Sequence, residues 1–106
     1  MANVFTGNED HDFPLSTAIE WTTNYRNSVP PTETRAHYFG KAAIEAIFAQ
    51  ETCVGMRVYY ALDATGKKQL IIVGVDASGN DLYNGLIAER SMPCPNTCAT
   101  ASPLNS

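Results

Sequence analysis

The spacing of apolar residues changes from a helical period to a strand period about halfway along the chain. From Pro14 to about Arg26 the less polar side chains recur every three or four residues, which predicts a first helix with one core-facing side. They are Leu15, Ala18, Ile19, Thr22 and Tyr25. The pair Pro30-Pro31 ends this pattern, because a residue that precedes proline avoids the helical region.

A second helix is predicted from about Phe39 to Gln50. Its apolar stripe consists of Ala43, Ile44, Ile47 and Phe48. The short segment at 36–39, which leads into it, fits either a first helical turn or an extended entry, and the pattern leaves both open.

The second half of the chain alternates in steps of two, as half-buried strands do. Gly55–Leu62 predicts a first strand, and the apolar run within Gln69–Val75 predicts a second. Two similar segments, Asp-Ala-Thr-Gly-Lys at 63–67 and Asp-Ala-Ser-Gly-Asn at 76–80, predict hairpin turns, because Asp caps such loops and Gly adopts the left-handed conformation. A third strand is therefore expected from about Asp81 to Glu89, with Asn84-Gly85 as a bulge or break.

These elements predict an α+β fold of two N-terminal helices followed by a three-stranded antiparallel β-meander and an irregular C-terminal tail. We expect a flexible arm at 1–13, a single α+β domain at 14–90, and a Cys- and Pro-containing tail at 91–106 that packs on the domain. The middle strand is apolar on both faces, whereas two short helices cover only one. The second face therefore needs the arm, the tail or another copy of the chain to cover it.

Composition narrows the classes of function. The chain has 106 residues and a net charge of −4, and its seven basic residues form no stripe. Nucleic acid is therefore not the expected partner, because phosphate binding depends on clustered Lys and Arg. The longest apolar stretch, Leu70–Val75, is far short of the roughly 20 residues that cross a bilayer. Residues 1–13 lack the basic and apolar regions of a secretory signal, so a cytoplasmic location is expected.

The three cysteines are the residues most suggestive of chemistry. Cys94 and Cys98 have a spacing that metal ligands tolerate, and Cys53 with either His37 or His11 could complete a zinc site. A Cys94–Cys98 disulfide or redox pair is a further alternative. The favoured interpretation makes Cys53 a buried small hydrophobe and the other two packing residues of the tail. No cofactor is expected under that interpretation, and zinc is the alternative.

Catalysis is not favoured by the pattern. A Cys–His nucleophile built from Cys53 or Cys94 with His37 lacks a recognisable orienting group and oxyanion hole. The chain contains no Gly-rich phosphate loop, no H-E-x-x-H and no G-x-S-x-G.

The leading hypothesis is a non-catalytic interaction or accessory domain that binds protein, including a second copy of itself, through an apolar sheet face. Its predicted interface consists of Arg57, Tyr59, Leu70 and Ile72, because Tyr and Arg are enriched in interfaces and the middle strand is apolar on both faces. The alternative is a zinc-binding or thiol-redox protein that uses Cys53, Cys94, Cys98 and His37.

Several segments resemble a group of small uncharacterised bacterial proteins of about this length. They are Ala36–Lys41 (AHYFGK), Cys53–Asp63 (CVGMRVYYALD), Gln69–Leu82 and Pro93–Cys98 (PCPNTC). The resemblance extends over residues 14 to 104 and implies that the tail is a regular part of the protein. It implies no activity and no functional residue.

Overall fold

The computed structural model describes residues 4–89 and 91–105, and these residues form two compact units. We call the first the sheet unit; it contains the N-terminal residues up to Glu9 and Phe39–Ser91. We call the second the tail unit; it contains Asp10–Tyr38 and the residues from Met92 onward. The boundaries predicted after residues 13 and 90 do not coincide with these units, because the first helix and the predicted tail belong to the same one. Residues 1–3, Arg90 and Ser106, at the ends of the predicted segments, lie outside the described residues.

The predicted α+β class is confirmed, with two helices and a three-stranded antiparallel sheet. The helices are α1 (Leu15–Ser28) and α2 (Lys41–Phe48). The strands are β1 (Ala36–Tyr38), β2 (Cys53–Leu62), β3 (Lys68–Asp76), β4 (Ile87–Ala88) and β5 (Met92–Cys94), and a 3-10 helix spans Pro103–Asn105. The main sheet has the order β2-β3-β4, and a second, two-stranded sheet pairs β1 with β5. This second sheet was not predicted and makes the tail less irregular than expected.

Helix α2 and the main sheet enclose the core of the sheet unit. Gly40 precedes α2 and its carbonyl accepts bonds from Ala43 and Ile44. Ile47, which is 1% exposed, packs with Ile72 and Ala88. Phe39, Ile44 and Cys53 pack against these three. Helix α2 is shorter at both ends than predicted, and Phe48 from its predicted stripe is exposed.

The two Asp-Gly turns are confirmed and have the same hydrogen bonds. Asp63 Oδ1 accepts from the backbone N–H groups of Thr65 and Lys67 at 2.9 and 3.0 Å. Asp76 Oδ1 accepts from those of Ser78 and Asn80 at 3.0 and 2.9 Å. Gly66 and Gly79 have φ values of 84° and 90°, which favour glycine.

The third strand is shorter than the predicted Asp81–Glu89. A single bridge joins Asp81 to Val75, a turn follows in which Gly85 N–H bonds to the carbonyl of Leu82, and pairing resumes only at Ile87–Ala88. The Gln50 side chain accepts a bond from Leu86 N–H at 2.9 Å and so ties this interruption to the end of α2.

The tail unit is built around α1 and the β1–β5 sheet. Helix α1 begins after Pro14, whose carbonyl accepts bonds from Thr17 and Ala18. No residue of α1 is fully buried, and Leu15 of the predicted face is exposed. The Tyr25 hydroxyl donates to the carbonyl of Thr34, and the Arg26 guanidinium donates to that of Leu104 in the 3-10 helix.

Candidate functional site

Strand β2 presents an exposed apolar stripe along one of its faces. The stripe consists of Met56, Val58, Tyr60 and Leu62, which alternate along the strand and therefore point to the same side. All four are exposed, and Tyr60 and Leu62 reach 94% and 70%. Single exposed apolar residues are ordinary, but four in a row on one strand form a contiguous surface. We call this surface the β2 stripe.

Tyr60 and Leu62, at the far end of the β2 stripe, are exposed because α2 is too short to cover them. At 1.5 Å per residue, the eight residues of α2 extend about 12 Å, whereas the ten residues of β2 extend about 33 Å. The helix covers the part of this face around Ile72 and Ala88 and leaves the Tyr60–Leu62 end open.

The outer edge of β2 is also unpaired within the described residues. In the order β2-β3-β4, β2 has β3 on one side and no strand on the other. Long edge strands usually carry charges or proline, which discourage pairing with another chain. Strand β2 contains no proline, and Arg57 is its one charged residue.

Arg57 lies on the opposite face of β2, where it joins a polar cluster with Tyr59 and Asp81. The Arg57 guanidinium and the Tyr59 hydroxyl donate to the two carboxylate oxygens of Asp81. Arg57 also donates to the carbonyl of Gly79, at 3.2 Å. Asp81 pairs with Val75 of β3 on the side of β3 that faces away from β2. The bonds therefore cross the sheet face above Val73, which pairs with Arg57. The cluster therefore holds the side chains of one face in a fixed arrangement.

Contacts within the cluster favour the ionised forms of Asp81 and Arg57 and the protonated form of Tyr59. The pKa of Asp81 is lowered by the hydrogen bond from Tyr59 and by the bond and charge of Arg57. The pKa of Tyr59 is raised, first by its hydrogen bond to Asp81 and then by desolvation. The hydrogen bond to Asp81 likewise raises the pKa of Arg57. Around neutral pH the cluster is an internally satisfied ion pair with a protonated phenol, which is an arrangement typical of a structural clamp.

The four predicted interface residues lie on both faces of the sheet. Arg57 and Tyr59 belong to the clamped face, whereas Leu70 and Ile72 pair with Tyr60 and Val58 on the other. Ile72 is only 4% exposed because it belongs to the core under α2. The exposed β2 stripe was missed as a surface because its alternation looks the same as that of a buried face. The signal that could have found it is the difference in length between the second helix and the first strand.

The predicted metal and redox residues are divided between the two units. Cys53 belongs to the sheet unit, where its thiol donates to the carbonyl of Gly55 at 3.1 Å. Cys94 and Cys98 belong to the tail unit and form a disulfide, so the favoured interpretation of them as simple packing residues is corrected. His37 is half-buried in β1, opposite Pro93. Over residues 4–89 and 91–105, no three His, Cys, Asp or Glu side chains are grouped so that they could hold a metal ion.

No helix in the described part of the chain has the length and apolar character needed to span a bilayer. No protein-family model, curated protein or solved structure matches this chain. The resemblance to small bacterial proteins therefore stays a prediction.

Proposed function

We propose that this protein is an interaction domain whose partner is a second copy of the chain, bound through β2 without catalysis at that strand. The observation that carries the proposal is the coincidence of an exposed apolar stripe and an unpaired edge on one ten-residue strand. An unpaired edge offers backbone donors and acceptors to an added strand, and the stripe offers apolar area beside them.

A second copy suits this strand because antiparallel self-pairing is symmetric. A two-fold axis perpendicular to the sheet, passing beside Tyr59, sets Val58 opposite Tyr60 of the partner subunit and Met56 opposite Leu62 of the partner subunit. The same surface is then used twice, as two-fold dimers require. The two stripes become one continuous apolar surface, and two three-stranded sheets become one sheet of six strands, an ordinary size.

Charge disfavours the register centred on Arg57. Like charges directly opposite each other on paired strands are destabilising. Pairing centred on Tyr59 places Arg57 opposite Ala61 of the partner subunit, whereas pairing centred on Arg57 would set the two guanidinium groups against each other. Because Arg57 is already neutralised by Asp81, the pairing adds no unpaired charge.

Sedimentation velocity on the wild type and on Tyr60→Lys tests the proposal. We expect the wild type to sediment as a dimer and Tyr60→Lys as a monomer, because each lysine would enter the apolar surface beside the two-fold axis. Tyr83→Lys is the matched control, since Tyr83 is also an exposed tyrosine but lies outside β2. This variant should remain a dimer.

A wild-type protein that stays monomeric up to its solubility limit would contradict the proposal. So would a dimer that Tyr60→Lys leaves intact, because its interface would then lie elsewhere. Hydrogen exchange adds a local readout: the outward-facing amides of β2 should exchange slowly in the wild type and quickly in Tyr60→Lys, with α2 amides unchanged as a check on folding.

A further inference from the structure

The disulfide of the tail unit joins one buried and one exposed sulfur-bearing residue. Cys94, at the end of β5, is 3% exposed, whereas Cys98 lies in the exposed segment that follows. Their Cα atoms are 4.7 Å apart and their sequence separation is 4. An incoming thiol therefore reaches the exposed residue Cys98 more readily than the buried residue Cys94.

Cys94 is held in place by the small sheet. It pairs with Ala36 of β1, and its carbonyl accepts a bond from Arg35 N–H at 2.6 Å. The loop between the cysteines is joined to β5 by a bond from Thr97 N–H to the carbonyl of Pro93, at 2.9 Å. The backbone at Cys94 is thus held by hydrogen bonds from Arg35 and, at the preceding residue, from Thr97.

Asn105 donates a hydrogen bond to the buried sulfur. Its side-chain amide nitrogen lies 3.4 Å from Cys94 Sγ. Asn105 is in turn held by its own N–H, which bonds to the carbonyl of Ser102, and by the bond from Arg26 to the neighbouring Leu104 carbonyl. A disulfide sulfur is a weak acceptor, but a thiolate at the same place is a strong one. The amide is therefore placed where negative charge would appear if the disulfide opened at Cys94.

We propose that Cys94–Cys98 is a thiol–disulfide exchange site whose substrates are dithiols. A thiolate of the dithiol attacks Cys98 Sγ, the bond between Cys98 and Cys94 breaks, and its electron pair leaves on Cys94 Sγ. The second thiol of the substrate then attacks the substrate's own sulfur in the mixed disulfide and releases Cys98. The substrate leaves as a disulfide, and two electrons and two protons have passed to the two cysteines.

Two features decide which sulfur is attacked and which sulfur leaves. Access directs the attack to Cys98, and the Asn105 amide stabilises the leaving thiolate of Cys94; both the sulfur attacked and the leaving group govern the rate of exchange. Asn105 acts here as a positioning residue through Cys94. The site lies wholly in the tail unit, so it does not depend on the pairing proposed for β2.

The site of attack can be mapped with glutathione as the probe. The folded, oxidised wild type is treated with reduced glutathione, quenched with acid, digested and analysed by mass spectrometry. We expect the mixed disulfide on Cys98 and a free thiol on Cys94. Adducts mainly on Cys94, reaction only under denaturing conditions, or three free thiols after treatment with oxidised glutathione would each overturn the proposal.

The role of Asn105 is tested by the rate of that reaction. Asn105→Ala should slow formation of the Cys98 adduct by about tenfold or more, the value of one hydrogen bond to a charged group. Asn105→Leu keeps a side chain of similar shape without the donor, and it should react as slowly as Asn105→Ala. If the role were one of packing alone, Asn105→Leu would instead react like the wild type, which would overturn the assignment. Asn96→Ala, an exposed asparagine inside the disulfide loop, is the matched control and should react like the wild type.

Discussion

Asp81 brings together two side chains whose roles could not be separated in the sequence. Arg57 and Tyr59 were predicted as interface residues because Tyr and Arg are enriched in interfaces. In the structure both donate to the carboxylate of Asp81, and these bonds form a clamp across the sheet. Asp81 lies 22 residues from Tyr59 along the chain, so no local pattern indicated the contact.

Replacing Asp81 by Asn should lower the pKa of Tyr59 toward the ordinary tyrosine value of about 10. The bond to a negatively charged acceptor is the chief cause of the raised pKa of this phenol, and the amide carries no charge. Nuclear magnetic resonance of ring-labelled tyrosine would follow the titration. Asp63→Asn is the control, because Asp63 accepts its bonds within its own turn and toward Gln69. A Tyr59 titration that does not change in Asp81→Asn would contradict the clamp.

At the scale of elements, helix α2 shows which part of a stripe carries energy. The predicted stripe included Ile47 and Phe48 alike, but Ile47 is 1% exposed and Phe48 is 48% exposed. The 3.6-residue period places neighbouring residues such as Ile47 and Phe48 on the same broad face. The position of the sheet decides which of the two is buried.

We expect Ile47→Ala to lower the free energy of unfolding by about 2–5 kcal/mol, the usual cost of removing a large side chain from a core. Phe48→Ala is the matched control and should change it by less than about 1 kcal/mol, because its side chain is half in solvent. Urea unfolding followed by circular dichroism measures both. Equal effects of the two substitutions on the free energy of unfolding would contradict this difference in burial.

The hairpin turns allow a second prediction at this scale. Gly66 has a φ of 84°, whereas Gly55 has a φ that other residues adopt, and an added Cβ meets nothing within 4 Å at either position. Gly66→Ala should therefore destabilise the protein by about 1–2 kcal/mol through backbone conformation alone. Gly55→Ala, the control, should be neutral or slightly stabilising. Urea midpoints that are the same for the two variants would contradict this account of the turn.

At the scale of the whole molecule, the disulfide must be compatible with the compartment in which the protein resides. The cytoplasmic location stays a prediction. Cytosolic disulfides are usually transient and catalytic or redox-sensing, whereas permanent ones belong to oxidising compartments. The exchange site proposed for Cys94 and Cys98 is the role that a disulfide has in a reducing compartment.

Acid should destabilise the protein through carboxylates whose pKa is lowered. The pKa of Asp63 lies well below its usual range because of bonds from Thr65, Gln69 and Lys67, and that of Glu9 is lowered by bonds from Thr6 and Gly7. A group with a lowered folded-state pKa stabilises the fold above its unfolded pKa, about 4, and loses that contribution as the pH falls through the folded value. We expect stability to be steady near neutral pH and to decline below about pH 4.

Urea unfolding at a series of pH values checks this expectation. Asp63→Asn should be less stable than the wild type at neutral pH and should lose less stability on acidification. Glu20→Gln, on exposed α1, is the matched control for the loss of one carboxylate charge and should be as stable as the wild type at neutral pH. A wild type whose stability rises below pH 4 would contradict the assignment.

By itself the sequence determined the elements and their local chemistry: two helices from the 3.6-residue period, the β2–β3 hairpin from the alternation, and both turns from Asp and Gly at fixed spacing. These depend on interactions within a few residues, so a local pattern carries them. The tertiary structure alone decided the β1–β5 sheet, the Asp81 clamp, the Asn105 contact with Cys94 and the exposure of the β2 stripe. The first two join residues more than twenty positions apart, and Asn105 and Cys94 are eleven positions apart across a loop. The last depends on the length of α2 relative to β2, a comparison between packed elements that no residue pattern contains.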